Sequence, residues 1–299
     1  MEKFKELCRM SQQKLKFHVA TELLATHENV IMEDGYVFAQ GKFPVLLVAH
    51  LDTVHKELPQ KIIYSEQFGT LSSPQGIGGD DRCGVYMILE IIKKYNCSVL
   101  FCEDEEIGAI GAKKFCKSEL AKELTFNYII EFDRTGDKDA VFYDCDNPEF
   151  TKFITKEFYE ESYGSFSDIS WLAPELECAA VNLSCGYYYA HSTNEYVVFE
   201  EMERSIKEAC KILERTTEKD WFEYIEREWT YYGNYNTNTT KRDERWYYIN
   251  YIDEHGIEDY DDFYATSKAE AIGKWCVKHP NLAFTSVIDI FGDDIKYLR

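Results

Sequence analysis

No two cysteines of this chain stand in a C-x-x-C pair, although ten are present, at positions 8, 83, 97, 102, 116, 145, 178, 185, 210 and 276. Several lie inside apolar runs, so reduced thiols in a cytosol are the expectation. Basic charge is also in deficit, with 33 Lys+Arg against 54 Asp+Glu and a net charge of -21. Such a balance opposes attraction to phosphate backbones and anionic bilayers, so neither nucleic acid nor a membrane surface is an expected partner. No apolar run reaches the roughly 20 residues that a spanning helix needs, because charges interrupt each one. The opening MEKFKELCRMSQQKLKF has neither the apolar core nor the small-residue cleavage site of a signal peptide. A cytoplasmic protein is expected. A dinucleotide fingerprint is missing too: GIGGDD lacks the third glycine at the required spacing, and two aspartates there would repel a phosphate.

What the chain does have is a set of short apolar runs that end on acids or histidine. Val45 to Asp52 reads VLLVAHLD. A run this short and this rich in Val and Leu predicts a strand buried on both faces of a parallel sheet, with His50 and Asp52 at its carboxyl end, where open α/β sheets place their chemistry. Ser98 to Cys102 predicts a second such strand, ending in EDEEIGAIGA, and Tyr128 to Phe132 a third, ending in Asp133 and Arg134. Asp80 and Asp81 stand ahead of an apolar helix starting near Gly84, where the macrodipole favours negative charge. The late stretch CAAVNLSCGYYYAH predicts a strand closing on His191.

Around these lie an amphipathic helix over 3–26, with His18 and His27 as ordinary helix-surface residues, and a hairpin of Val30 to Ile31 and Tyr36 to Ala39 turning at Asp34-Gly35. A short strand pair is expected within Ile62 to Leu71. Asn147-Pro148 opens a helix running to about Tyr163, and a last helix covers about Glu200 to Lys219. His55, His255 and His279 read as surface residues. Tyr187, Tyr188 and Tyr189 either pack or line a pocket, and Arg134 either binds a substrate carboxylate or balances the acids. The predicted fold is α/β, a three-layer α/β/α sandwich with a mixed, largely parallel central sheet.

Strand ends thus gather His50, Asp52, Glu105, Glu106, Asp133 and His191, joined by Asp80 and Asp81 from a helix start. Two histidines, several carboxylates and no thiolate suit zinc, manganese or cobalt acting on water and an oxygen electrophile. Uncompensated, the acids would repel one another, and two divalent ions about 3.5–4 Å apart would account for their number.

The residues here resemble the co-catalytic di-zinc exopeptidases, the family that includes bacterial leucyl aminopeptidase, tripeptidase and glutamate carboxypeptidase. AHLDT, GGDDRCG, DEEIGAIGA, EFDR and AHSTNEY occur in that family's order over residues 45–197. The resemblance implies that Asp80 bridges two metals, that His50 and Asp133 complete one site, and that Glu106 and His191 complete the other. It also implies Asp52 as the acceptor orienting His50, Glu105 as general base, and a cis peptide between Asp80 and Asp81. Many members insert a lid or dimerisation domain, for which the intervals 53–79 and 134–190 are too short. The lid-less aminopeptidase-like branch is favoured, and S-D-x-S at Ser167 to Ser170 is similar to that branch as well.

The expected organisation is a catalytic domain over 1–219 and a small acidic, aromatic-rich α+β domain over 220–299. In the latter, Tyr231 to Glu244 reads as a linker and Arg245 to Ile252 as a strand. A helix then runs from Ser267 to about Lys278, capped by Ser267 and Glu270 and followed by Pro280, and Ala283 to Phe291 reads as a strand. Its aromatics and acids suggest a surface for homo-oligomer formation, other protein contact or substrate gating, with the ordinary core of a small domain as the alternative reading. The expected activity is hydrolysis of peptide or N-acyl amino-acid amide bonds by an aminopeptidase-type exopeptidase with two zinc ions, or manganese or cobalt in their place. A carboxypeptidase or N-acyl amino-acid deacylase is the alternative among enzymes, and an inactive metal-binding scaffold the alternative outside them.

Overall fold

A computed structural model describes residues 1–227, 245–252, 258–265, 271, 274–275, 278–279 and 284–289. The chain divides into two compact units, Met1–Trp229 and Thr230–Arg299. The first opens with helices α1 (Glu2–Cys8) and α2 (Gln12–Leu23), then the hairpin β1 (Val30–Glu33) and β2 (Tyr36–Ala39). Next come β3 (Phe43–His50), the short pair β4 (Ile63–Ser65) and β5 (Thr70–Ser72), and α3 (Gly79–Ile91). They are followed by β6 (Cys97–Cys102), α4 (Ile110–Cys116), β7 (Tyr128–Arg134), β8 (Asp139–Val141) and α5 (Pro148–Ile154). The unit closes with β9 (Glu160–Ser162), α6 (Ile169–Glu175), β10 (Ala180–Ser184), β11 (Tyr187–Tyr188), β12 (Tyr196–Val198) and α7 (Phe199–Arg215).

Eight strands form the central sheet in the order β1-β2-β6-β3-β7-β10-β8-β9. Its middle, β6-β3-β7-β10, is parallel, while β2 and β8 pair antiparallel with its two ends. Alternation along β3 makes the two faces: Val45, Leu47 and Ala49 enter one core with α1, α3 and α7, and Leu46 and Val48 enter the other with α4 and α6. Phe4, Tyr86 and Phe199 meet with ring centroids 5.8–6.2 Å apart and join α1, α3 and α7. Across the sheet, Phe115 of α4 packs on Tyr36 and Phe38 of β2. The result is the three-layer α/β/α architecture with a mixed, mostly parallel sheet. A second sheet, β11-β12-β5-β4, gathers the short strands.

Several elements differ from the sequence reading. The first helix is two, because the chain leaves helical geometry after Cys8 and Ser11 then caps α2 through Lys14 N. The helix from Pro148 stops at Ile154, and the segment read as its continuation contains an edge strand, β9, pairing parallel with β8. The strand expected to close on His191 breaks at Gly186, whose φ is +84°, so that β10 lies in the central sheet and β11 in the other. His27 is buried, with its ring between Thr26 Oγ1 and the Cys97 carbonyl, both at 2.8 Å.

In the second unit β13 (Arg245–Ile252) is the middle of an antiparallel sheet between β14 (Glu258–Ala265), which the sequence reading lacked, and β15 (Phe284–Asp289). Tyr247, Ile249 and Tyr251 pack with Ala271 and Trp275. The linker Tyr231 to Glu244, the capping pair Ser267 and Glu270, Pro280, His255 and most of the helix expected over 267–278 lie outside the described residues. Among the described residues no helix is long and apolar enough to cross a membrane.

Candidate metal centre

The carboxyl ends of β3, β6 and β7 carry the site. His50 is the last residue of β3 and is fully buried. Its Nε2 lies 3.0 Å from Asp80 Oδ1 and 3.5 Å from Asp133 Oδ1, while Nδ1 lies 3.2 Å from Asp52 Oδ1. Asp52 also accepts from the backbone N–H groups of Glu105 and Glu106, at 3.0 and 3.1 Å. One carboxylate thus fixes both the histidine ring and the turn after β6, where Glu105 and Glu106 diverge. On the other side, His191 Nε2 stands 3.3 Å from Asp80 Oδ2 and 3.0 Å from Glu106 Oε2. His191 itself sits at φ +62°, an uncommon conformation for a residue with a Cβ.

Two groups of ligand atoms result, His50, Asp80 and Asp133, and Asp80, Glu106 and His191, each with its atoms within 4.8 Å of one another. Asp80 belongs to both and turns one oxygen to each histidine. Glu106 Oε1 is buried and has no hydrogen-bond partner among the described residues. A buried, unpaired carboxylate oxygen is costly unless a cation meets it, and hard, oxygen-rich donors with two imidazoles fit divalent metal.

Electrostatics point the same way. Burial drives the carboxyls of Glu105 and Glu106 upward and raises Asp133 to about 7, with the charge of Asp80 adding to the shift in Asp133. Burial opposes a charged His191, yet its hydrogen bonds to Asp80 and Glu106 push it up to about 12. Burial likewise opposes ionisation of Asp52 and Asp80; the partnering histidines outweigh it and hold both below the ordinary carboxylate range.

Asp81 follows Asp80 through a cis peptide and turns away from the cluster. Its carboxylate accepts from Gly84 N at 2.8 Å and His50 N at 3.1 Å, capping α3 and tying that helix to β3. Gly84 is needed at this contact, since a Cβ there would stand 2.0 Å from the Phe132 carbonyl oxygen. Arg82 is almost wholly buried and donates to the carbonyls of Leu51, Asp52 and Met10. Asp168, in the S-D-x-S stretch, is raised to about 7 by burial.

The tyrosines before His191 divide between packing and exposure. Tyr187 is buried with its hydroxyl 3.3 Å from Asp133 Oδ1, Tyr188 donates to Glu201 and stacks on Tyr196, and Tyr189 is exposed. Arg134 pairs with Asp139 at 3.1 Å, which leaves it balancing an acid. His279 pairs with Asp261 in the second unit. His55 is not a surface residue: its Nε2 lies 2.8 Å from Glu195, which is fully buried. Glu195 and Arg82 are parts of the site's surroundings that sequence reasoning passed over, although both stand inside quoted motifs, AHSTNEY and GGDDRCG.

Residues 29–166 match the model of peptidase family M28, a span that holds His50, Asp80, Glu105, Glu106 and Asp133. No curated protein matches the chain. Among solved structures it is similar to the aminopeptidase PepT from Bacillus cereus ATCC 10987, with TM-score 0.62 and 13% identity over 71% of this chain and 96% of that one. It is also similar to a tripeptidase from Staphylococcus aureus subsp. aureus mu50, with TM-score 0.56, 13% identity and coverage of 70% and 95%. An aminopeptidase, APDkam598, from the archaeon Desulfurococcus kamchatkensis aligns with TM-score 0.57, 14% identity and coverage of 72% and 94%. At such identities these structures speak for the fold alone, and the M28 match, over somewhat less than half of the chain, makes that stretch similar to a peptidase family.

Proposed function

We propose that this protein is a metallopeptidase, an aminopeptidase-type exopeptidase working with two divalent ions, zinc by preference of its donors. The observation that carries this is the placement of Asp80, whose two oxygens face His50 and His191 separately, at 3.0 and 3.3 Å. His50, Asp80 and Asp133 would hold one ion, and Asp80, Glu106 and His191 the other. Ions there supply Lewis-acid chemistry, polarising a carbonyl and lowering the pKa of water.

The chain's own residues do the rest. Glu105 is buried and its carboxyl is raised by that burial, which suits it to take a proton from the attacking water and return it to the leaving amine. Asp52 keeps the proton of His50 on Nδ1, leaving Nε2 free as a ligand atom, and holds the Glu105 main chain in place. Arg134 already turns its Nε and one terminal nitrogen to Asp139, which weighs against a substrate carboxylate there and toward attack at the amino terminus.

The test is a set of peptides blocked at one end or the other, assayed on protein whose metal content has been measured. Cleavage of peptides with a free amino terminus and two ions per chain is the expected result. Cleavage confined to N-blocked substrates would instead mean a carboxypeptidase or deacylase, and binding of no more than one ion at saturation would overturn the two-ion reading.

A further inference from the structure

Glu195 has no role in the chemistry above, yet its carboxylate is fully buried and aimed at the turn that carries Asp80. Oε1 accepts from the backbone N–H of Asp80 at 2.9 Å, and Oε2 from that of Gly78 at 2.7 Å and from His55 Nε2 at 2.8 Å. The His55 ring in turn lies on Gly76, where a Cβ would meet it at 2.1 Å. Two backbone donors and one ring nitrogen therefore hold both oxygens of the carboxylate.

Its place in the chain gives this arrangement a purpose. Glu195 follows His191 by four residues, and its own N–H donates to the Ser192 carbonyl, so it belongs to the loop that carries His191. Asp80 must hold one oxygen toward His50 on β3 and the other toward His191, and this requires the main chain of residue 80 to be fixed relative to both. Asp81 ties the helix start to β3 through His50 N. Glu195, from the His191 loop, supplies the second tie through the N–H groups of Gly78 and Asp80.

We infer that Glu195 is a positioning residue that locks the Asp80 turn to the His191 loop, with His55 as its counter-group, and thereby sets the affinity of any ion bound through Asp80. This rests on Asp80 being a metal ligand. A glutamine cannot replace it, because whichever way the amide is turned, its NH₂ faces a backbone N–H.

The experiment titrates metal-free protein with Zn2+ and with Mn2+ by calorimetry, comparing wild type, Glu195→Gln, Glu195→Ala and, as a distant exposed control, Glu214→Gln. Hydrogen exchange at the Gly78 and Asp80 amides is followed alongside. Loss of an outer partner of a metal ligand costs roughly 10–100-fold in affinity, so both Glu195 variants should weaken binding by that much, exchange faster at those two amides, and leave the control unchanged. Variants that bind as wild type does would overturn the inference while the two-ion reading stands. A wild type that binds one equivalent, weakened by Glu195→Gln, would sink the two-ion reading and keep this one; no binding at all would sink both. Should neither variant fold, slow exchange of both amides in the metal-free wild type is the expected result, and fast exchange there overturns the assignment.

Discussion

Glu105 and Glu106 are neighbours with different surroundings, which makes them the sharpest test of the proposed roles. Glu106 faces His191, whereas Glu105 is held through its backbone by Asp52; among the described residues the second oxygen of Glu106 is buried and unpartnered and Glu105 takes no hydrogen bond from a histidine. Glu105→Gln keeps the shape and loses the ability to accept a proton, so turnover should fall by roughly 10²–10⁴ with metal content unchanged. Glu106→Gln should show the reverse emphasis, losing metal first. Steady-state kinetics with metal analysis of both variants distinguishes the two; equal metal loss in each would show the roles wrongly divided. The cysteines allow a second test at this scale. Among the described residues nine are free thiols, and burial raises those of Cys8 and Cys83 to about 12 and that of Cys102 well above its ordinary value. Thiolate is the reactive form and must be reached by the reagent, so alkylation at pH 8 followed by mass mapping should modify the half-buried Cys210 before any of these three; Cys116, itself raised to about 12, gains over Cys8 and Cys83 only by its exposure. Early labelling of Cys83 would contradict the packing of α3.

At the scale of elements, α3 joins the sheet to the site, and Gly84 is where the two meet. Gly→Ala at an ordinary helix position stabilises by about 0.4–1 kcal/mol. At Gly84 the added methyl would stand 2.0 Å from the Phe132 carbonyl and 2.5 Å from Asp81 Oδ2. Gly84→Ala should therefore destabilise by about 1–3 kcal/mol, as overpacking does; a urea midpoint at or above that of wild type would refute this. The same contact explains what the sequence made legible. Strands buried on both faces read as unbroken apolar runs, so the ends of β3, β6 and β7, with His50, Glu105, Glu106 and Asp133, stand out in the sequence by themselves. Elements whose limits depend on distant partners do not. Nothing local marks the end of α5 at Ile154, because what replaces the helix is pairing of Glu160–Ser162 with β8. Gly186 looks like part of one strand until its neighbours fall in different sheets. His55 and Glu195 are 140 residues apart, and a lone histidine gives no sign of a buried carboxylate waiting for it.

For the whole molecule, the question is what the first unit needs from the rest of the chain. All the proposed ligands precede residue 192, and α7 ends at Arg215, but the chain beyond that helix is still part of the core. Phe222 is buried against Tyr128, Phe150 and Phe153, with ring centroids 5.2–6.1 Å apart. Its backbone accepts from Ala179 N and donates to Asn127 O, and Glu223 and Glu226 make isolated bridges to Cys178 and Cys145. A chain ending at 219 would lose this seal over β7 and β10. Loss of a buried phenylalanine costs about 3–5 kcal/mol, which for a domain of this size lowers the melting temperature by on the order of 10 °C. A chain ending at 229 keeps Phe222 and both bridges. It should melt close to the first unit of the full protein, bind metal with the same stoichiometry and retain peptidase activity, so that any change falls on substrate range or assembly. Calorimetric melting, metal content and rates on short and long peptides for the two truncated chains would decide this. If the chain ending at 229 is folded and metal-loaded yet inactive on every substrate, the second unit supplies a catalytic group and cannot be accessory.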